Sequence, residues 1–270
     1  MVSKEKMRFV RSLQDAKARN RTNLFVVEGD RLVREYLEAG QALEQLYATS
    51  RWMGGLPSRL RDLAGIITDV SDEELARMGS LKTPNGAIGV VRKFDAPFDW
   101  DFLSSRLVLA LEAVRDPGNF GTILRAAAWF GIEDILVSPD CVELYNPKVI
   151  QSAMGATLHV RVHSADLEPL ISRARDDGLP VYGTALEGES VFEAQLTSTG
   201  FLLLGNEAHG LSSSLLDLVT CRLVIPPWSG TSAGLDSLNV AMAASIFCAE
   251  FRRRQAGASG RDPEPDRAIR

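Results

Sequence analysis

No two of the 22 glycines in this chain are separated by a single residue. A G-x-G is therefore absent, and with it the Rossmann G-x-G-x-x-G and the glycine-rich loop of the common methyltransferase class. A Walker A string is missing too, which removes the phosphate cradle a P-loop kinase would need. Cysteine is equally scarce: Cys141, Cys221 and Cys248 lie far apart and form no C-x-x-C. That spacing argues against a disulfide scaffold, a thioredoxin-like motif and a zinc site, and leaves small buried hydrophobes in a reducing compartment. The three histidines, His159, His163 and His209, are read as forming no helix-borne pair, because the first two fall on or beside an expected strand. No apolar run approaches the ~20 residues of a membrane span, and the start, MVSKEKMRFVRS, has no apolar signal region. The expectation is a cytoplasmic protein without a membrane partner or a metal.

With 45% hydrophobic and 24% charged residues, 270 residues can bury a core and make two domains. The net charge of −5 hides a polarity along the chain. Residues 1–21 carry seven Lys/Arg against Glu5 and Asp15, a net of +5, and residues 252–270 carry six Arg against three acids, a net of +3. The intervening residues are then at −13. Basic ends on an acidic body suit an electrostatic grip on a polyanion, and solvated termini produce the same pattern.

Residues 1–92 alternate helix-like and strand-like pieces: a basic helix, FVVE, a helix from Asp30, LEQLYAT, a helix near 58–64, IITDV, the short helix SDEELARM, and AIGVV. The segment 93–105, which includes KFDAPFDWD, reads as a linker. From Arg106 the alternation restarts, with strands expected at LVLALEAV, DILVS and near 158–162, 180–184, 201–205 and 222–226. Strands separated by helices imply a mostly parallel sheet covered on both faces, an α/β domain over 106–254. A long helix from about Ser237 to Arg254 closes it, and 255–270 reads as a disordered tail by composition.

Three strand ends concentrate glycine, asparagine and polar residues where open α/β sheets bind ligands. One is DPGNFGTILRAAAWFG, 116–131, where Asn119 can cap a helix and Gly121 and Arg125 stand one turn apart. Arg125 is the single charge inside that apolar helix. A guanidinium is costly to bury unpartnered, so it has either a buried acid, Glu207 or Asp116, or a ligand to serve. The second is LLLGNEAHGLS, 202–212, and the third is VIPPWSGTSAGLDSLNVAMAAS, 224–245. Singly, each has an ordinary explanation: a cap, an exposed turn, the start of a helix.

Together and in this order, the three segments resemble the motifs of the SpoU (TrmH-like) branch of the SPOUT methyltransferases over residues 106–251, with YNPKVIQSAMGA, 145–156, similar to that family's central segment. Residues 24–92, notably FVVEGDRLVREYL and TPNGAIGVV, resemble the substrate-binding domain attached to rRNA-modifying members. The resemblance implies a C-terminal deep trefoil knot, S-adenosylmethionine as methyl donor, a homodimer, and methylation of a ribose 2′-hydroxyl in RNA, rRNA first and tRNA as the alternative. By carry-over, Arg125, Asn119, Glu207, Ser237 and Asn239 act at the reacting ribose. The resemblance also implies that the cofactor is held largely through the backbone of Leu204, Gly205, Asn206, Glu207, Gly210, Ile225, Pro226, Leu235, Ser237 and Leu238. One departure stands out: PWSGTSAGLD, 227–236, lengthens the third motif, and its Trp228 is expected to pack within the loop, with stacking on a base as the alternative. A non-catalytic RNA-binding protein keeping the same fold is the competing reading; retention of all the motif residues argues against it.

Overall fold

The computed structural model of the chain describes residues 2–81, 83, 85–94, 97–228 and 237–259. They form two compact units, Met1–Asp95 with Glu143–His159, and Ala96–Val142 with Val160–Arg270. The division is not the linear one expected from the sequence, because the segment from Glu143 to His159 belongs with the first unit.

In the first unit, α1 (Lys4–Ser12) and α2 (Ala16–Thr22) precede β1 (Leu24–Glu28), α3 (Asp30–Glu38) and β2 (Leu43–Ala48). Then come α4 (Ser50–Gly54), α5 (Ser58–Arg61), β3 (Ile66–Asp69), α6 (Asp72–Met78) and β4 (Ala87–Arg92). The sheet order is β1-β4-β2-β3, with β4 antiparallel to β1 and β2 and β3 parallel to β2. Helix α6 starts where the sequence signals it: Ser71 and Glu74 form a capping box, and Glu74 also accepts the Val2 amide at 2.8 Å. The basic N-terminus is less uniform than its composition suggests. Val10 and Leu13 are fully buried, and so is Arg19, whose guanidinium bonds Glu143 and the carbonyls of Leu13 and Gln14 at 2.9 and 2.8 Å. Lys93 Nζ reaches the other Glu143 oxygen at 2.8 Å. Arg19 is thus a structural charge, while Lys4, Lys6, Arg8, Arg11, Lys17 and Arg21 are exposed.

In the second unit, α7 (Trp100–Ser104), β5 (Leu107–Leu111), α8 (Pro117–Trp129) and β6 (Asp134–Val137) come first. Helix α9 (Pro147–Ala153) then returns to the first unit, where it packs on β1. After it follow β7 (Arg161–Ser164), α10 (Leu167–Asp176), β8 (Val181–Ser190), β9 (Gly200–Leu204), α11 (Ser213–Leu216), β10 (Cys221–Val224) and α12 (Val240–Ser259). All six strands run parallel in the order β10-β8-β9-β5-β6-β7. The sequences LVLAL and GFLLL, buried at every position, take the two central places, as strands covered on both faces must. Two expectations change here. Helix α7 falls inside the expected linker, because Asp99 caps it and Trp100 stacks on the core Phe201 at 5.9 Å. Helix α12 continues to Ser259, past the point where the tail was expected, and residues 260–270 lie outside the described ones.

Asp134, at the N-terminal end of β6, holds that end of the sheet together. Its carboxylate, 1% exposed, accepts Arg161 Nε and Nη2 at 2.8 and 2.7 Å and bonds His163 Nε2 at 3.1 Å. Burial by itself would raise its pKa, but the hydrogen bonds from Arg161 and His163 and their charges outweigh it and hold the group at about 2.

Candidate active site

The chain order and the sheet order part at β5. From β5 the sheet proceeds through β6 and β7 on one side, while its other neighbour is β9, so the crevice at the C-terminal ends of β5 and β9 is a topological switch point. The first two motifs emerge there. Beyond β5 the backbone is held in an unusual shape: Ala113 has φ +53°, a left-handed conformation costing a residue with a Cβ about 1–2 kcal/mol. Three hydrogen bonds fix this stretch. The Ala113 amide donates to Ser138 Oγ at 2.9 Å, its carbonyl accepts Asn206 Nδ2 at 2.8 Å, and the neighbouring Glu112 carboxylate accepts the Ser212 amide at 2.7 Å.

The turn after β9 is closed by a reciprocal pair of backbone hydrogen bonds between Asn206 and Gly210, 3.0 and 2.9 Å. A side chain at Gly205 is impossible, since a Cβ would lie 2.1 Å from the Gly210 carbonyl carbon and 2.2 Å from the Leu211 nitrogen. This closure pushes Glu207 into solvent. Asn119 Nδ2 donates to Glu207 Oε1 at 3.0 Å, and Asn119 Oδ1 accepts Asn239 Nδ2 at 2.9 Å. Three segments separated by up to 120 residues are joined through one amide. Asn119 is available for this because it is not the cap of α8. Asp116 is, accepting the Asn119 amide at 2.8 Å, with Pro117 at the first helical position. Asn239 has both roles, since its Oδ1 also accepts the Ala241 and Met242 amides at the start of α12.

Arg125 is not buried. It lies on the exposed face of α8 with Gly118, Thr122 and Trp129, and it has no ion pair or hydrogen bond among the described residues, so the alternative of a buried pair with Glu207 or Asp116 is not formed. The neighbour one turn away, Gly121, faces the core instead. Ser237 and Leu238 are exposed just before α12, and Ile225 and Pro226 follow the end of β10. Leu204 is buried in β9 with its carbonyl taken by the Glu112 amide, and so forms the wall behind the turn. Leu235 and most of the 227–236 loop lie outside the described residues, as does the stretch that would thread the expected knot. Trp228, expected to pack, is fully exposed.

Sequence reading missed the end of β8. Pairing with β10 runs through Tyr182 and Gly183, breaks, and resumes at Glu189, so Thr184–Gly188 bulge between the ends of β9 and β10. Gly188 marks the close approach, because a Cβ there would sit 2.4 Å from the Arg222 carbonyl oxygen. That glycine was the one available signal.

A hydrolase reading meets one string it has to answer: Gly230-Thr231-Ser232-Ala233-Gly234 has G-x-S-x-G spacing. A nucleophile elbow needs its serine in the turn directly after a strand. Here β10 ends at Val224, and the string lies outside the described residues. His163 is not available to such a site, since it is committed to Asp134 at the opposite end of the sheet. Among the described residues no cluster could hold a metal ion, and no helix is long and apolar enough to cross a membrane.

The turn geometry fits S-adenosylmethionine. Loops closed on glycine present peptide groups, exposed Leu186 and Leu238 offer apolar surface, and Glu207, a carboxylate without an ion pair among the described residues, complements a sulfonium.

Residues 106–249 match the SpoU rRNA methylase family, and residues 4–89 match the MRM3-like substrate binding domain. An uncharacterised tRNA/rRNA methyltransferase of Synechocystis is 32% identical over 93% of this chain and 91% of its own length. The 23S rRNA (guanosine-2′-O)-methyltransferase RlmP of Bacillus subtilis is 28% identical over 92% of this chain and 96% of its own. A TrmH-family structure from Porphyromonas gingivalis superimposes with a TM-score of 0.81 at 32% identity, covering 94% of this chain and 99% of that one. The AdoMet-bound rRNA methyltransferase from Sinorhizobium meliloti gives 0.82 at 26% identity, covering 94% and 96%. With the three motifs joined at the switch point and the match extending over both units, this chain belongs to the SpoU rRNA methylase family and is an S-adenosylmethionine-dependent RNA methyltransferase.

Proposed function

We propose that the chain methylates a ribose 2′-hydroxyl of ribosomal RNA, working as a homodimer in a reducing, ribosome-containing compartment. The observation that carries this is the Asn239–Asn119–Glu207 chain, which orients polar groups from all three motifs beside a helix whose one cation, Arg125, has no partner among the described residues. The bound cofactor supplies an electrophilic methyl group. The residues that would hold it are the Gly205–Gly210 turn, Ile225, Pro226, Ser237 and Leu238, together with the Thr184–Gly188 bulge and, on sequence alone, Leu235. What remains for the side chains is to place a poorly acidic hydroxyl in line and stabilise its oxygen as water takes the proton.

Arg125 fits that task. Its exposure lets it meet a phosphate and ribose with a planar fork, and a guanidinium, which keeps its proton in proteins, suits stabilising alkoxide charge rather than accepting the proton. Glu207, Asn119, Ser237 and Asn239 orient the hydroxyl. Ribosomal RNA is favoured over tRNA by the substrate-binding domain match and by the RlmP relative.

Charge supports a division of labour between the units. The first has 17 Lys/Arg against 14 Asp/Glu, a net of +3, and the second 13 against 21, a net of −8. The RNA grip then belongs to the first unit and methyl transfer to the second. Dimer formation is supported by an apolar face on the second unit. Trp129 on α8 is 79% exposed, and Met242 on α12 and Leu238 just before it are 59% and 43% exposed; α12 packs along α8. A second copy covering this face would enclose Arg125.

Incubating the protein with S-adenosylmethionine and unmodified rRNA, then mapping alkali-resistant linkages, tests the reading. One resistant linkage in rRNA is expected. Methyl groups on a base, or label entering tRNA alone, would sink it.

A further inference from the structure

At the end of β1 in the first unit lies a cavity of about 130 Å³, outside the methyl-transfer site. Pockets for drug-sized molecules run to about 300–1,000 Å³, so this one takes a smaller group, of the size of one planar heterocycle. Its frame is pinned by Glu28, a buried carboxylate that accepts the Ser80 amide and hydroxyl at 2.8 and 2.9 Å, the Leu81 amide at 3.3 Å and Gln14 Nε2 at 3.0 Å. The Glu28 carbonyl accepts Gln151 Nε2 from α9 at 2.8 Å. One residue thus ties two walls of the cavity to the sheet.

The acids at the rim are neutralised within the unit: Asp30 pairs with Arg34 at 2.6 Å, and Glu35 with Arg31 at 2.8 Å. What remains open is amide, apolar and basic. The exposed Asn85 has no side-chain hydrogen bond among the described residues, and Gln151 has committed its amide nitrogen but not its oxygen. Met154, 42% exposed, is held at φ +49°, a strained conformation for a residue with a side chain. Met154 lines the rim, and the next residue, Gly155, at φ +80°, passes against Glu35, where a Cβ would lie 2.5 Å from Oε2. Arg31, 74% exposed and paired with Glu35, lines the mouth of the cavity, and Lys148 is exposed on α9 one turn before Gln151.

We propose that this cavity is a base pocket for the RNA substrate, taking one unstacked nucleobase. The Asn85 amide and the Gln151 oxygen read its edge, Met154 and Leu81 cover its faces, and Arg31 and Lys148 contact the flanking phosphates. Recognition of RNA rests on such splayed bases, held by hydrogen bonds to an edge and contact with a face. The inference deepens the RNA methyltransferase reading and rests on it for the identity of the polymer.

The test is filter binding of unmodified, transcribed 23S rRNA to the full-length protein, alongside KM and kcat. Asn85→Ala removes the reading amide. Met154→Gly removes the side chain while suiting the left-handed backbone, so the fold is kept. Each variant is expected to raise the Kd and KM for RNA at least tenfold, with kcat at saturating RNA and affinity for S-adenosylmethionine unchanged. One abasic position in the RNA is expected to cost the wild type as much and to cost the Met154→Gly protein nothing further. Unchanged RNA affinity in both variants overturns the pocket. So does tight binding of a free mononucleotide lost in both variants, which would make it a nucleotide site. Wild-type protein that binds the RNA without methylating it would overturn the enzyme reading, while the binding series still decides the pocket.

Discussion

Arg125 illustrates how much a single residue's environment changes its meaning. In the sequence it is an expensive charge inside an apolar helix, and in the structure it is a solvent-facing cation with no partner among the described residues. Its service to a ligand is our proposal, and it rests on a different ground from burial cost: no described residue of the fold pairs with it. Substituting an exposed side chain usually changes stability by less than about 0.5 kcal/mol, so Arg125→Ala and Arg125→Lys should both melt like the wild type. Both should lose at least about a hundredfold in kcat, the scale of a lost oxyanion donor, with calorimetric affinity for S-adenosylmethionine kept. Near-normal turnover by Arg125→Ala would remove it from the mechanism. Asp134 is the opposite case, a charge the fold uses fully. Its folded pKa of about 2 lies below the ordinary 3.8, so its stabilisation is complete above pH 4 and disappears as the pH falls toward 2. Asp134→Asn should therefore cost on the order of 2 kcal/mol at neutral pH and flatten the stability profile between pH 4 and 2, measured by urea unfolding at each pH. A profile as steep as the wild type's would refute the assignment.

Among the elements, α8 and α12 bring the first and third motifs together. Each buries one face in the second unit, yet Trp129 and Met242, with Leu238 just before α12, remain exposed, and a second copy would cover such large apolar groups. Trp129→Glu with Met242→Glu should convert a dimer to a folded monomer in sedimentation equilibrium and abolish methylation, because Arg125 lies on the same face. A wild type that sediments as a monomer at micromolar concentration would rule the dimer out. The bulge in β8 belongs to this scale as well. A ten-residue strand whose pairing skips five residues re-aims the chain between two motif loops, and the local sequence TALEG gives no warning beyond its glycine.

For the whole molecule, the distribution of charge matters more than its sum. The RNA-holding role assigned to the first unit predicts a steep fall of affinity with salt, by nearly one logarithmic unit per neutralised phosphate for each tenfold rise in salt. Replacing Lys4, Lys6, Arg8 and Arg11 by glutamine should make that slope shallower by roughly one unit for every phosphate no longer neutralised. Deleting the N-terminal segment would remove more than charge. It would remove buried Val10 and Leu13 and leave Glu143 without Arg19, and breaking a buried pair costs about 3–5 kcal/mol. An unchanged salt slope in the glutamine variant would take α1 out of the interface.

The alternation of helix and strand, the all-apolar central strands and the three motifs were legible in the sequence because each depends on residues near one another along the chain. Periodicity, caps and glycine-bearing turns are local, so LVLAL was placed within a few residues and the SDEELARM helix nearly to its ends. What local pattern cannot encode is which distant groups meet. The sequence allowed Asn119 to be a helix cap; only the sheet order brings it to Glu207 and Asn239 and leaves the cap to Asp116. Nor could composition separate Arg19, buried on Glu143, from its exposed basic neighbours, or assign Glu143–His159 to the first unit. Those outcomes depend on burial and on pairing across more than a hundred residues. The residues of DPGNFGTILRAAAWFG singled out Arg125 as the one charge of its helix, while its availability was decided by which face of α8 the core took.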